Sequence, residues 1–149
     1  MTVLDRMAEG IEPGTDLPKR LYVSRADTAN RGLMNEPEVE RLLSDHGFTV
    51  IAPGTLSLRE QIRLFRGAEM IIGPHGGGMT NLAFCRPGAK VLELAQSNYA
   101  NPCMNRIAQV RRLEYHAECF ECVSEGDIHA QPWRVDTSQL LRKVRDFLS

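Results

Sequence analysis

The sequence predicts an α/β domain: a five-stranded parallel sheet, order 2-1-3-4-5, in a three-layer sandwich with helices on both faces. From Lys19 onward, short apolar or β-branched runs alternate with segments of helical period. The links between successive runs are long enough for the crossover helices that parallel strands require. The third observation is where the unusual loops fall. "SRADTANRG" (24–32) follows the first run and "GPHGGGMTN" (73–81) the third. In a sheet of this order both sit at the switch point between strands one and three, where ligands of open parallel sheets bind.

Residues 1–18 read as a leader or linker, with a short helix near Val3–Glu9 and a Gly/Pro-rich connector, "GIEPGTDLP". The regular domain is expected over 19–149. "RLYVSR" (20–25) is the first strand, with β-branched and aromatic content. After a polar loop, "EPEVERLLSDHG" places Val39, Leu42 and Leu43 at helical spacing. Asn35 is its expected cap, with Glu38 three residues on and Pro37 in the first turn, and Gly47 is the stop. "FTVIAP" (48–53) is the second strand. A helix over 57–68 opens on a Ser57/Glu60 capping box, with Leu58, Ile62 and Leu64 or Phe65 turned inward. "EMIIG" (69–73) is a buried third strand, and a helix is expected over 77–85. "KVLELA" (90–95), a helix over 102–112, the strand "LEYHAECF" and an amphipathic helix over 137–148, capped by Thr137 or Asp136, complete the pattern.

Composition excludes several functions. The 149 residues suit one domain. A net charge of −1 lacks the basic excess that non-specific nucleic-acid binding needs. No apolar run is long enough for a transmembrane segment, and no secretory signal is visible at the start. Four cysteines do not make a disulfide scaffold, so a reduced cytoplasmic location is expected.

The Gly-rich loop nearly matches a triphosphate-binding loop. Gly73, Gly78 and Thr80 fit, but Met79 stands where the phosphate-binding lysine belongs. That loss argues against ATP hydrolysis. The dinucleotide fingerprint fails too, since no Gly-rich loop follows the first strand. What remains is a helix start with unpaired N–H groups and partial positive charge, where Gly76, Gly77 and Gly78 let an oxyanion approach. Thr80 and Asn81 can add hydrogen bonds there. His75, at the strand's mouth, can donate to a phosphate or serve as acid or base, which makes it the candidate catalytic residue. The alternative is a tight turn whose glycines serve helix–sheet packing. Arg25 and Arg31 in the first loop can clamp a diphosphate, against the commoner fate of a solvated arginine. Glu93 ends the fourth strand, where a carboxylate can hold a ribose; its other reading is a buried acid paired with a lysine or arginine.

Other groupings carry less. His116, Cys119 and Cys122 are three apart, but four ligands are needed for a zinc site and a strand would split them between faces. Trp133 and Tyr115 read as core or cover residues, and Tyr99 as packing or a base-stacking ring. A phosphoacceptor receiver domain shares the strand order, but lacks its acidic cluster where Arg25 and Pro74-His75 stand.

Over roughly residues 19–118 the chain resembles the carboxyl-terminal half of family 61 glycosyltransferases, which include bacterial capsular-polysaccharide biosynthesis proteins. The resemblance rests on Ser24-Arg25, Arg31, Asn35-Glu36, Gly73-Pro74-His75-Gly76, Gly78, Asn81, Pro87-Gly88 and Glu93-Leu94, in that order. It implies a Rossmann-like half of a GT-B enzyme that binds a nucleotide sugar such as a UDP-sugar. It also implies inverting transfer with no metal cofactor. No Asp-x-Asp metal motif occurs, so Arg25 and the loop amides would neutralise the leaving diphosphate. Two features depart from the family. Gly77 stands where it often has Ala, and 149 residues leave no room for its amino-terminal acceptor domain. The expected function is therefore the donor-binding domain of a polysaccharide glycosyltransferase. The alternative is a non-catalytic module for a phosphorylated ligand or a partner chain.

Overall fold

The computed structural model describes residues 2–27, 32–99, 101–122 and 132–149. Its sheet has five parallel strands: β1 (Arg20–Val23), β2 (Thr49–Ile51), β3 (Met70–Pro74), β4 (Lys90–Gln96) and β5 (Glu114–Phe120). Their spatial order is β2-β1-β3-β4-β5, as the sequence predicts. Register brings Leu21 beside Ile71, Ile71 beside Val91, and Glu93 beside Ala117.

Alternation along the strands divides the core. Leu21, Val23, Ile71 and Val91 face one layer of helices; Tyr22, Ile72, Leu92 and Leu94 face the other. The first layer holds α1 (Val3–Met7), α3 (Leu58–Gly67), a 3-10 helix over Gly77–Phe84 and α4 (Cys103–Arg111). The second holds α2 (Glu36–Asp45) and α5 (Thr137–Leu148). Val39 and Leu43 of α2, and Leu140 and Val144 of α5, are fully buried. Each such side chain contributes about 1.5–3 kcal/mol of transfer free energy.

Local signals account for most helix ends. Ser57 and Glu60 form the reciprocal capping box, at 2.8 and 3.3 Å. Asp136 caps α5 by accepting from the Gln139 amide at 2.7 Å. Gly47 follows α2 in the left-handed region, at φ +81°. Residues before Lys19 also pack against the domain. Ala8 and Ile11 enter the first core layer, and Asp5 accepts from Arg111 at 2.7 Å.

Three expectations need correction. The segment after the Gly-rich loop is a 3-10 helix, not an α-helix. Consecutive glycines disfavour α-helix, and two side chains bond back three residues: Thr80 Oγ to the Gly77 carbonyl at 2.6 Å, Asn81 Nδ2 to that of Gly78 at 3.1 Å. Asn35 occupies the N-cap position of α2, but its side chain makes no cap hydrogen bond. Its amide instead grips Val135, donating to the carbonyl at 2.8 Å and accepting from the N–H at 3.0 Å. Leu58 is half exposed, because it opens α3 over a cleft that the helix does not fill.

Candidate functional site

A cleft of about 700 Å³ opens at the carboxyl ends of β1 and β3. Val23, Ser24, Arg25 and Asp27 form one wall, and Pro74 and Gly76–Gly78 the facing one. Pro53, Gly54 and Gln61 close the β2 side, while Leu4 of α1 and Ile107 of α4 close the other. This is the switch point to which the strand order assigns the two loops.

Arg25 leaves the end of β1 and crosses to the third strand. It is 9% exposed, and its Nη1 donates to the His75 carbonyl at 2.7 Å. The guanidinium packs against Gly76 with Nη1 nearest. A methyl group there would overlap Nη1 and lie 2.9 Å from Cζ. The backbone of Gly76 is extended, so close approach and not a special dihedral requires the glycine. Gly73 and Gly78 serve packing: added methyls would press on Val23, at 2.9 Å in both cases. Gly77 meets nothing within 4 Å on its open side and faces the cleft.

The first hydrogen bond of the 3-10 helix runs from the Met79 amide to the Gly76 carbonyl, at 3.0 Å. The Gly77 and Gly78 amides precede it, so the helix itself gives them no acceptor. Beside them, Asn81 is buried and fastens the loop to α3 by donating to Gln61 Oε1 at 2.8 Å. Gln61 Nε2 in turn donates to the carbonyls of Pro53 and Leu56, at 2.9 and 3.0 Å. Thr80 is exposed at the rim. The cleft therefore presents a guanidinium and a helix start on a braced frame, a suitable surface for an anion.

His75 and Glu93 lie outside the cleft lining. The His75 imidazole turns toward β4, where Nδ1 pairs with Glu93 Oε1. The other carboxylate oxygen accepts from the Tyr115 hydroxyl. Glu93 is 2% exposed, and both its oxygens are occupied by partners within the chain. Burial and the carboxylate push the Tyr115 phenol up, which keeps it a donor. On the opposite side of the imidazole, Nε2 lies 4.0 Å from Cys103 Sγ, and the Tyr99 ring packs edge-on at 5.1 Å.

Of the candidates, Arg25, Gly76, Gly77, Gly78, Thr80 and Asn81 meet at the cleft, while His75 and Glu93 form a cluster behind it. Arg31 lies outside the described residues. Gln61, Leu4 and Ile107 carry no local sequence mark, while Asp27 falls within the 24–32 loop without a motif of its own. Tyr115 was reachable in principle. Alternation on neighbouring strands places it on the face of Glu93, two residues before that residue's partner Ala117. His116 and Cys119 lie on β5 and Cys122 beyond its end. Among the described residues no three His, Cys, Asp or Glu side chains gather closely enough to hold a metal ion.

Comparison with known proteins gives this geometry a context. A beta-1,2-xylosyltransferase, RCN11, of Oryza sativa subsp. japonica is 40% identical over 62 residues, covering 42% of this chain and 12% of that protein. A beta-1,2-xylosyltransferase of Arabidopsis thaliana is 34% identical over 62 residues, with the same shares. A further rice protein, the beta-1,2-xylosyltransferase XAX1, is 32% identical across 90% of this chain and 27% of its own length. The chain thus spans between about an eighth and about a quarter of the length of these relatives. The sequence profile of Glycosyltransferase 61 matches residues 3–92, which takes in α1, Arg25, the whole Gly-rich loop and the frame that braces it. On that match, over more than half of its length, the chain belongs to glycosyltransferase family 61.

Proposed function

We propose that this domain binds the nucleotide sugar of a metal-independent, inverting glycosyl transfer, with the donor's diphosphate in the cleft between β1 and β3. The observation that carries the reading is the meeting of the Arg25 guanidinium with the helix start at Gly76–Gly78 in a family 61 chain. A departing nucleoside diphosphate gains negative charge as the glycosidic bond breaks. Fixed donors on that charge lower the barrier without reorganising. Arg25 supplies a full charge, the Gly77 and Gly78 amides supply dipoles, and Asn81 holds the loop against α3. Glu93 is assigned to orienting His75 rather than to the ribose, a reading supported by the in-chain partners of both its oxygens. Xylose, named for the three plant relatives, is the first sugar to test. Polysaccharide assembly, capsule included, is the process in which the product would be used.

A second reading, binding without transfer, is favoured by the place of His75, whose imidazole is not on the cleft wall. Calorimetric titration with UDP in EDTA, with ATP and GDP as comparators, tests the donor reading. Saturable UDP binding is expected, weakened roughly 10- to 100-fold by Arg25→Ala, the equivalent of about 1.5–3 kcal/mol for a charged hydrogen bond. Equal affinities in the two proteins, or binding only with added divalent metal, would overturn it. Hydrolysis of a UDP-sugar by the domain would then separate transfer from binding alone.

A further inference from the structure

We infer that Cys103, His75 and Glu93 form a thiol–imidazole–carboxylate triad that makes Cys103 a nucleophile toward low-molecular-weight disulfides. The inference uses the His75 imidazole, which lies off the lining of the donor cleft, and stands whether or not a nucleotide binds.

The triad assembles from three elements. Glu93 comes from the middle of β4, His75 follows β3, and Cys103 is the first residue of α4. The Tyr115 hydroxyl holds one oxygen of Glu93, and the other faces His75 Nδ1. A carboxylate at Nδ1 fixes that nitrogen as the proton carrier and leaves Nε2 as the acceptor. Nε2 faces the Cys103 thiol at 4.0 Å. The Tyr99 ring packs edge-on against the imidazole and keeps it from rotating away. Cys103 also sits where a nine-residue helix begins, at the end that faces the imidazole. Its backbone N–H donates to Asn101 Oδ1 at 3.0 Å, which fixes the thiol's place at the helix start.

The chain carries its own comparisons. Cys85 is fully buried and burial pushes its thiol up to about 12, so it is inert. Cys119 is exposed on β5, more accessible than the half-buried Cys103. If accessibility alone set reactivity, Cys119 would react first.

The step balances without any group beyond the disulfide. The Cys103 proton passes to His75 Nε2, and the thiolate attacks one sulfur of the disulfide. The disulfide's S–S bond breaks as a new one forms to Cys103. The released thiolate takes the proton back from the imidazolium. Cys103 is oxidised to a mixed disulfide, and the small disulfide is reduced to one thiol. The adduct lies directly against His75 Nε2.

The test is reaction of the full chain with oxidised glutathione at neutral pH, with occupancy at each cysteine followed by peptide mass spectrometry. Cys103 is expected to be modified roughly tenfold faster than Cys119, with Cys85 unmodified. His75→Gln and Glu93→Gln should each slow Cys103 by about tenfold and leave the Cys119 rate unchanged. The wild-type comparison needs no variant, so a folding defect cannot hide the answer. A Cys103 rate equal to or below that of Cys119 overturns the inference, as does a rate that a folded His75→Gln protein retains.

Discussion

Gly76→Ala tests the link between the two loops. The added methyl would overlap Arg25 Nη1 and reach within 2.9 Å of Cζ. A long side chain can often swing clear of such a clash at little cost. Arg25 cannot, because it is 9% exposed and its Nη1 is bonded to the His75 carbonyl at 2.7 Å. Displacing it breaks a charged hydrogen bond, about 1.5–3 kcal/mol, and forcing the methyl in adds an overpacking cost of about 1–3 kcal/mol. Since the two costs partly substitute for one another, the expected loss is about 2–4 kcal/mol. For a domain of this size that lowers the melting temperature by roughly 5–15 °C. Gly77→Ala is the matched control: nothing lies within 4 Å of its methyl and its φ is not left-handed. It should fall within about 0.5 kcal/mol of the parent, or gain slightly from a less flexible unfolded chain. Thermal melts and urea unfolding of the pair decide the matter. If Gly76→Ala unfolds within about 1 kcal/mol of Gly77→Ala, Arg25 is not held against the loop as argued, and this account of the glycine is wrong.

Asn35→Ala should cost about 2–4 kcal/mol in urea unfolding, since it strands the buried N–H and carbonyl of Val135 that Asn35 now meets. Asn81→Ala removes the bond to Gln61 and should cost about 1–2 kcal/mol, with a measurable loss of UDP affinity by calorimetry because the loop is no longer tied to α3. Glu36 is buried and accepts from Tyr22 Oη at 2.6 Å, while its Oε2 has no hydrogen-bond partner among the described residues. Burial raises its carboxyl above the ordinary glutamate range. The folded state therefore holds more protons than the unfolded one just above that range, so this group's contribution to stability is lost as pH rises through the folded value. Melts of Glu36→Gln and the parent from about pH 4 to about pH 7 should show the variant gaining relative to the parent as pH rises; parallel curves would refute the assignment.

What the sequence made legible was what short-range physics controls. Apolar runs such as Ile71-Ile72 and Val91-Leu92 mark buried strands without reference to the rest of the chain. The Ser57/Glu60 box is a three-residue event and forms as spaced. Crossover lengths point to parallel strands, and the order β2-β1-β3-β4-β5 brings the two loops to one cleft. The misses share a different cause. Asn35 has the spacing of a cap, but a buried backbone one hundred residues away competes for its amide and wins, because an unmet buried peptide group costs more than an uncapped helix. Glu93 is not a miss but stays open between two readings, since its in-chain partners come from the end of β3 and from β5, out of reach of β4's own sequence.

The Gly-rich loop shows the same division at the scale of single residues. Packing and anion binding first appear as competing explanations for the whole stretch, yet its glycines divide between them. Gly73 and Gly78 are small for Val23, while Gly77 is open to the cleft. Gly76 is small for Arg25, the residue that brings positive charge to the site. There the close contact that excludes a side chain is the same one that holds the guanidinium at the start of the helix. A glycine pattern alone cannot reveal this, since the distinction lies in what each missing Cβ would have touched.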